Sequence, residues 1–265
     1  MEYIFALKVL MSFLVAGTWI TAATLIAERY GSKIGGLLTS LPSNIVVSLL
    51  FVALTHHAKF AAEVSLAVPS GMSVLTIFLF VFIILLRYGI VLSSILSILS
   101  WFALAFIANM VKIENLVIGI ILYLGITLLA FYLLESVFKI RSTHSKEKKY
   151  TVAQIGIRSV FSGSAVSGAV LISSFAGSYW AGIFSTFPAV TIPTIIILSI
   201  NQSTKFAQAT AKILLLSLTN IIVYSLGVYF TYPVFGIIIG TLVSFIGSCI
   251  YVWVLHRVLK RLSLE

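Results

Sequence analysis

The sequence contains no aspartate, a single cysteine, and only seven acidic residues, all glutamate, in 265 positions. Charged residues make up 9% of the chain, against about 25% in ordinary soluble domains. That shortage excludes a solvated globular surface. With 60% hydrophobic residues and a mean hydropathy of +1.16, it leaves a polytopic helical membrane protein. Runs such as Val74–Leu86 do not alternate in polarity, which excludes a membrane β-barrel. The lone Cys249 can form no intramolecular disulfide and leaves the redox compartment open.

Chemistry-bearing motifs are missing too. There is no acidic pair for a metal-dependent transferase, no H-E-x-x-H, no phosphate-binding glycine signature, and no nucleophile with a base beside it. The sequence therefore predicts no catalytic residue, no metal and no cofactor. His56-His57 lacks a nearby Cys or Asp and is a weak metal signal. The glutamates all fall near span ends, so the buried acid on which proton-coupled exporters rely has no obvious carrier. The net charge of +10 comes from residues at span ends and in one short loop. It reflects membrane topology and leaves no basic surface for nucleic acid. The opening MEYIFALKVL has neither a basic leader region nor a cleavage site, so the first span is expected to be retained.

What is present is a repeat. Ile34–Leu54, IGGLLTSLPSNIVVSLLFVAL, recurs as Trp180–Ser199, WAGIFSTFPAVTIPTIIILS, at an offset of 146 residues. The offset pairs Pro42 with Pro188, Gly36 with Gly182, Gly17 with Gly163, and Lys59-Phe60-Ala61 with Lys205-Phe206-Ala207. One unbroken register from Gly17 to Ala61 points to duplication.

Spans of about 20 apolar residues are expected at 3–27, 33–55, 66–86, 88–110, 115–138, 151–175, 179–200, 205–230 and 233–256. Spans 1–4 then repeat as 6–9, with span 5 unpaired. Five crossings separate the two copies, an odd number, so they enter the membrane from opposite sides. The expected fold is all-α, with about nine transmembrane helices. Residues 1–112 form one inverted four-helix repeat and 151–265 the other. Residues 113–150 supply a linker helix and a basic cytoplasmic loop. Placing that loop, Lys139–Lys149, inside gathers Arg29, Lys33, Arg87, Lys205 and the basic tail on the same side. The chain is thus expected to be a multi-pass cell-membrane protein with its N-terminus outside and its C-terminus in the cytoplasm.

Interrupted helices at matching places in two inverted halves are a sequence pointer to a transporter's binding site. Thr39, Ser40, Pro42, Ser43, Asn44, Ser185, Thr186, Pro188 and Thr191 are the candidate lining residues. The competing reading is a pair of proline kinks whose hydroxyls bond back to the backbone. Arg158, about two turns inside span 6, is the second candidate. It either faces inward as a counter-charge for an anion or snorkels to the headgroups. Lys59 and Lys205 hold equivalent places after the proline spans. As gates they would draw anions from either side; as interface anchors they would do no more. Glu135 and Lys139 have the spacing of a helical ion pair closing span 5. Trp101 reads as packing.

Gly35-Gly36-Leu37-Leu38-Thr39-Ser40-Leu41-Pro42 and Ala181-Gly182-Ile183-Phe184-Ser185-Thr186-Phe187-Pro188 give each half a resemblance to small four-span bacterial membrane proteins of the GlpM-like type. That resemblance implies a fold unit more than an activity. The 4+1+4 plan also resembles fused forms of dual-topology four-span families, the fluoride channels and small multidrug exporters. Phe184-Ser185-Thr186-Phe187 echoes a fluoride-channel tetrapeptide, but the mirrored half reads Leu38-Thr39-Ser40-Leu41, and no site residue is carried over. The expected function is secondary transport of a small polar or anionic solute by alternating access. A passive anion channel and a non-transporting accessory protein are the alternatives. The oligomeric state is left open.

Overall fold

The computed structural model describes the backbone of residues 2–39, 41–141 and 151–261, and the side chains of these except 2, 24, 26–39 and 259–261. Eleven helices occur among the described residues, and no strand. The first half contains α1 (Glu2–Thr39), α2 (Ser43–Thr55), α3 (Ala58–Leu66), α4 (Val68–Leu85, extended by a 3₁₀ turn at Leu86–Tyr88) and α5 (Ile90–Val111). Then comes α6 (Leu116–Tyr132), which ends in a π turn at Leu133–Val137. The second half contains α7 (Val152–Phe175), α8 (Gly177–Ser185), α9 (Thr191–Asn201), α10 (Thr204–Ser217) and α11 (Asn220–Arg261).

Local chemistry sets many of these boundaries. Thr151 and Gln154 form a capping box that starts α7, and the Asn115 side chain accepts from the Ile118 N–H to start α6. α11 is assigned as one element but is interrupted at Gly236, whose φ of 74° and ψ of −177° only glycine adopts readily. Thr231 meets Ser244 at 3.1 Å, Tyr232 meets Thr241 at 2.7 Å and Thr219 meets Tyr251 at 2.8 Å. These pairings make α11 an antiparallel hairpin. The Lys8 ammonium of α1 donates to the Leu54 carbonyl at 2.6 Å. The membrane-length part of α1 is Tyr3–Ala23.

Six segments are long and apolar enough to cross a bilayer: Tyr3–Ala23, Val68–Tyr88, Ile90–Val111, Leu116–Val137, Val152–Phe175 and Thr204–Val258. Nine spans were expected, and the difference has local causes. The proline-containing spans are broken, so their helical pieces, Ser43–Thr55 and Thr191–Asn201, are individually short. The last two expected spans form the single apolar stretch Thr204–Val258. The expected polar connection His56–Lys59 is also shorter than drawn, because α3 begins at Ala58.

α4 is the enclosed centre, with Phe78, Leu79, Phe82 and Ile83 fully buried. α5, α6 and the second arm of α11 turn Leu99, Ile121, Leu128, Ile238 and Ile250 outward. An apolar rim of this kind suits a lipid surround and would be a liability in water.

The repeat register reappears in local geometry. α2 ends at Thr55 and α9 at Asn201; α3 begins at Ala58 and α10 at Thr204. His57 and Ser203, equivalent at the 146-residue offset, have φ/ψ of −170°/167° and −173°/160°. Each accepts at 3.1 Å from an equivalent N–H, that of Phe60 or Phe206. α1 and α7 cross antiparallel. A Cβ on Gly17 would stand 3.2 Å from the Ser159 carbonyl oxygen, and one on Gly163 would stand 2.8 Å from that of Phe13. Gly17 is equivalent to Gly163, and Phe13 to Ser159. The same contact is thus made twice with its partners exchanged.

Candidate functional site

Both breaks lie at the predicted prolines. Pro42 stands at the N-terminus of α2, with the Ser43 N–H donating to the Leu41 carbonyl at 2.8 Å. In the second half, residues 186–190 separate α8 from α9, and the Ile192 N–H donates to the Pro188 carbonyl at 2.9 Å. The prolines therefore do not kink continuous helices. They separate half-helices, and α2 and α9 begin there. Neither Pro42 nor Val190, the residue at each N-cap, has a side-chain acceptor for the first N–H groups.

A cavity of about 430 Å³ opens beside the two breaks, within the usual range for small-molecule sites. Its wall contains Pro42, Ser43, Asn44, Arg158, Ser185, Thr186 and Thr191 from the predicted set. Thr194 and Thr210 add two hydroxyls that sequence reasoning did not select, with apolar side chains such as Leu41, Leu75, Phe187, Leu198 and Phe206 between them. The first residues of α2 (Ser43, Asn44) and of α9 (Thr191) lie in this wall. Among the described residues, no acidic side chain lines it.

Arg158 is 4% exposed. Of its two sequence readings, the inward-facing one fits: the side chain is enclosed and belongs to the cavity wall. Pro188 is buried behind the lining, not part of it. Ser40 and the Thr39 side chain lie outside the described residues. Lys59 and Lys205 are exposed in the first turns of α3 and α10, and neither lines the cavity.

The second half's wall is held in place by close backbone contacts. A Cβ on Gly182 would collide with the Val64 carbonyl oxygen, and one on Gly71 would stand 2.5 Å from the Thr186 hydroxyl. These glycines let α8 press against α3 and α4. Trp101, buried in α5, stacks edge-on against Phe184 at 5.5 Å and Phe187 at 4.9 Å. It is the backing of the cavity wall at Phe187, a position its sequence context did not mark. Ser162 donates to Asn44 Oδ1 at 2.6 Å, tying the first-half break to α7.

The expected Glu135–Lys139 pair does not form. The π turn at Leu133–Val137 shifts the helical register, and Lys139 leaves the helix with a φ of 53°. Glu135 instead pairs with Lys212 of α10, which also donates to the Ile140 carbonyl at 2.5 Å. Lys212 is 2% exposed. The sequence signal was available: a lysine set between Ala211 and Ile213-Leu214-Leu215-Leu216 inside an expected span. Intramembrane lysine deserves the same scrutiny as Arg158. No cluster of three or more metal-binding side chains occurs among the described residues.

Residues 9–114 match a family described as a protein of unknown function (DUF3147). The match covers 106 of the 265 residues and ends two residues past the boundary expected for the first four-span unit. No curated protein and no solved structure matches the chain.

Proposed function

We propose that this chain is a secondary transporter of a small polar or anionic solute, built from two four-span repeats of opposite orientation around an unpaired linker helix. It crosses the cell membrane nine times, with the N-terminus outside and the C-terminus in the cytoplasm. Each broken proline span counts as one crossing, and the α11 hairpin completes the last two.

The observation that carries this reading is the buried Arg158 in the wall of a cavity flanked by two half-helix N-termini. Positive dipole ends and a guanidinium favour a negative group, and interrupted helices with equivalent positions in two repeats are the arrangement expected at a transporter's centre. The exchanged Gly17–Ser159 and Gly163–Phe13 contacts support the inverted relation of the halves.

Alternating access is favoured over a continuous pore by an asymmetry between the repeats. Thr194, Leu198, Thr210 and Leu214 line the cavity in the second half. Their equivalents in the first half, Ser48, Val52, Val64 and Val68, are each 0% exposed. One repeat is open where the other is sealed. The open side runs toward the Asn201–Lys205 connection, which the charge bias assigns to the cytoplasm. Exchange of the two repeat conformations would close this side and open the other.

Reconstitution into proteoliposomes tests the proposal. A carrier gives saturable flux with counterflow; a channel gives current without counterflow; an accessory protein gives neither. The double variant Pro42→Ala/Pro188→Ala is expected to lose at least about tenfold in flux, because uninterrupted helices would cost the site its N-termini. Flux unchanged in that variant would remove the paired breaks from the mechanism.

A further inference from the structure

α10 is held differently on its two faces. Phe206, Thr210 and Leu214, four residues apart, form one face and line the cavity. Gln208 and Lys212 each follow a cavity residue by two positions, about 200° around the helix, and so occupy the back. There the Gln208 amide donates to the Ile83 carbonyl at 2.7 Å. The Lys212 ammonium pairs with Glu135, donates to the Ile140 carbonyl at 2.5 Å, and lies 5.7 Å from the centre of the Phe131 ring. Ile83 is in the last turn of α4, where carbonyls lack a partner within the helix. Glu135 and Ile140 lie in and just beyond the π turn that closes α6. α10 is thus fastened from behind to the ends of two helices.

α3, its equivalent at the 146-residue offset, has no such fastening. Ala62 and Leu66 stand where α10 has Gln208 and Lys212, and among the described residues no α3 side chain forms an ion pair. Its other face is sealed, with Val64 and Val68 buried where Thr210 and Leu214 are open to the cavity. The half with the polar fastening is the open half, and the half without it is closed. From this correlation we infer that the Gln208 and Lys212 contacts are a latch that holds α10 open and sets the cytoplasm-open state as the resting state. The inference rests on the alternating-access reading and deepens it by naming contacts that break in each cycle. Burying Thr210 and Leu214, as Val64 and Val68 are buried, requires α10 to shift or turn. A helix moves both faces together, and helix shifts in such transitions are about 1–2 Å. That is enough to stretch the latch past hydrogen-bonding distance. The buried ammonium then loses its acid, which opposes closure. α3 meets no equivalent opposition, so the two states are unequal in energy.

Cysteine labelling of the full chain in proteoliposomes tests the latch with no solute present. Cys249→Ala is the background, and a membrane-impermeant methanethiosulfonate probes Thr194→Cys and Ser48→Cys from each face. With the latch intact, Thr194→Cys should react from the cytoplasmic face and Ser48→Cys should stay protected. Glu135→Leu/Lys212→Met removes both charges without stranding either, and Gln208→Leu removes the remaining contact. In the triple variant Ser48→Cys should become reactive from the opposite face and Thr194→Cys should react more slowly, each by about fivefold or more. Gln208→Leu alone keeps the ion pair and should move both rates in the same directions by about twofold or more, which guards against a triple variant that fails to fold. Lys139→Gln, near the same helix end but outside the latch, should change neither rate. Unchanged rates in folded latch variants would overturn the latch and leave alternating access standing. Reaction of both cysteines from one face would overturn alternating access, and the latch with it.

Discussion

Lys212 of α10 forms an ion pair with Glu135 at the end of α6, tying a wall of the cavity to that helix. Thr210 and Leu214, on either side of Lys212, face the cavity. The Lys212 side chain is 3% exposed and that of Glu135 43%. Removing the acid strands a buried ammonium, whereas removing both charges does not. Because Glu135 is partly open to solvent, Glu135→Gln should cost about 1–3 kcal/mol, between the losses of exposed and of fully buried pairs. Glu135→Leu/Lys212→Met should recover most of it, and Lys139→Gln should change little. Thermal unfolding in detergent reads all three. A Glu135→Gln variant as stable as the parent would show that the pair contributes nothing.

The α1–α7 crossing makes a graded prediction. Alanine at Gly163 would place its Cβ 2.8 Å from both the ring and the carbonyl oxygen of Phe13, while at Gly17 the nearest atom is 3.2 Å away. Overpacking of this kind costs about 1–3 kcal/mol, so Gly163→Ala should lower the unfolding temperature more than Gly17→Ala. Gly125, also helical, has nothing within 4 Å. There alanine meets no obstacle and gains about 0.5–1 kcal/mol of helix propensity, so Gly125→Ala should be neutral or slightly stabilising. Equal effects at the three positions would contradict the close crossing.

Much of the candidate site was legible because its signals are local and duplicated. Pro42 and Pro188 break helices for covalent reasons, and the offset that relates them also brings Lys59 into line with Lys205. Arg158 stood out as a charge within an apolar run. What could not be read was which side of a helix each group takes. Lys212 has the same sequence surroundings as Arg158, yet it turns to α6 instead of the cavity. The loss of the Glu135–Lys139 pair depends on a π turn that no spacing rule supplies. Thr194 and Thr210 look like ordinary helix hydroxyls until α9 and α10 are packed side by side. Their role belongs to tertiary structure.

A pH dependence is expected at the connection between α2 and α3. His56 stacks on Phe60 at 4.2 Å between ring centres, and its Nε2 lies 3.0 Å from the Ser173 hydroxyl. Burial, with further contributions from neighbouring His57 and Lys8, holds its pKa below the ordinary value of 6.5. The unfolded chain then binds a proton more readily than the folded one. Stability from this residue is fully present above about pH 6.5 and declines as pH falls toward the lowered folded value. The unfolding temperature should therefore drop between pH 7 and pH 5, and His56→Gln should flatten that slope. An unchanged slope in the variant would assign the effect to other groups.

The asymmetry between the repeats gives the sharpest test of alternating access. Replacing the only native thiol, Cys249→Ala, clears the background for single cysteines at Thr194 and at its equivalent, Ser48. Thr194 lines the cavity, and Ser48 is fully buried. A membrane-impermeant thiol reagent should label Thr194→Cys from the cytoplasmic face of inside-out vesicles and leave Ser48→Cys unmodified. During turnover with a transported solute, the exchange of repeat conformations should expose Ser48→Cys to reagent on the opposite face and slow labelling of Thr194→Cys. The two changes must occur together, because one exchange produces both. Access at both positions from one face would mean a continuous pore. If Ser48→Cys stays protected under every condition in which solute moves, the sealed half does not open and the repeats do not exchange roles.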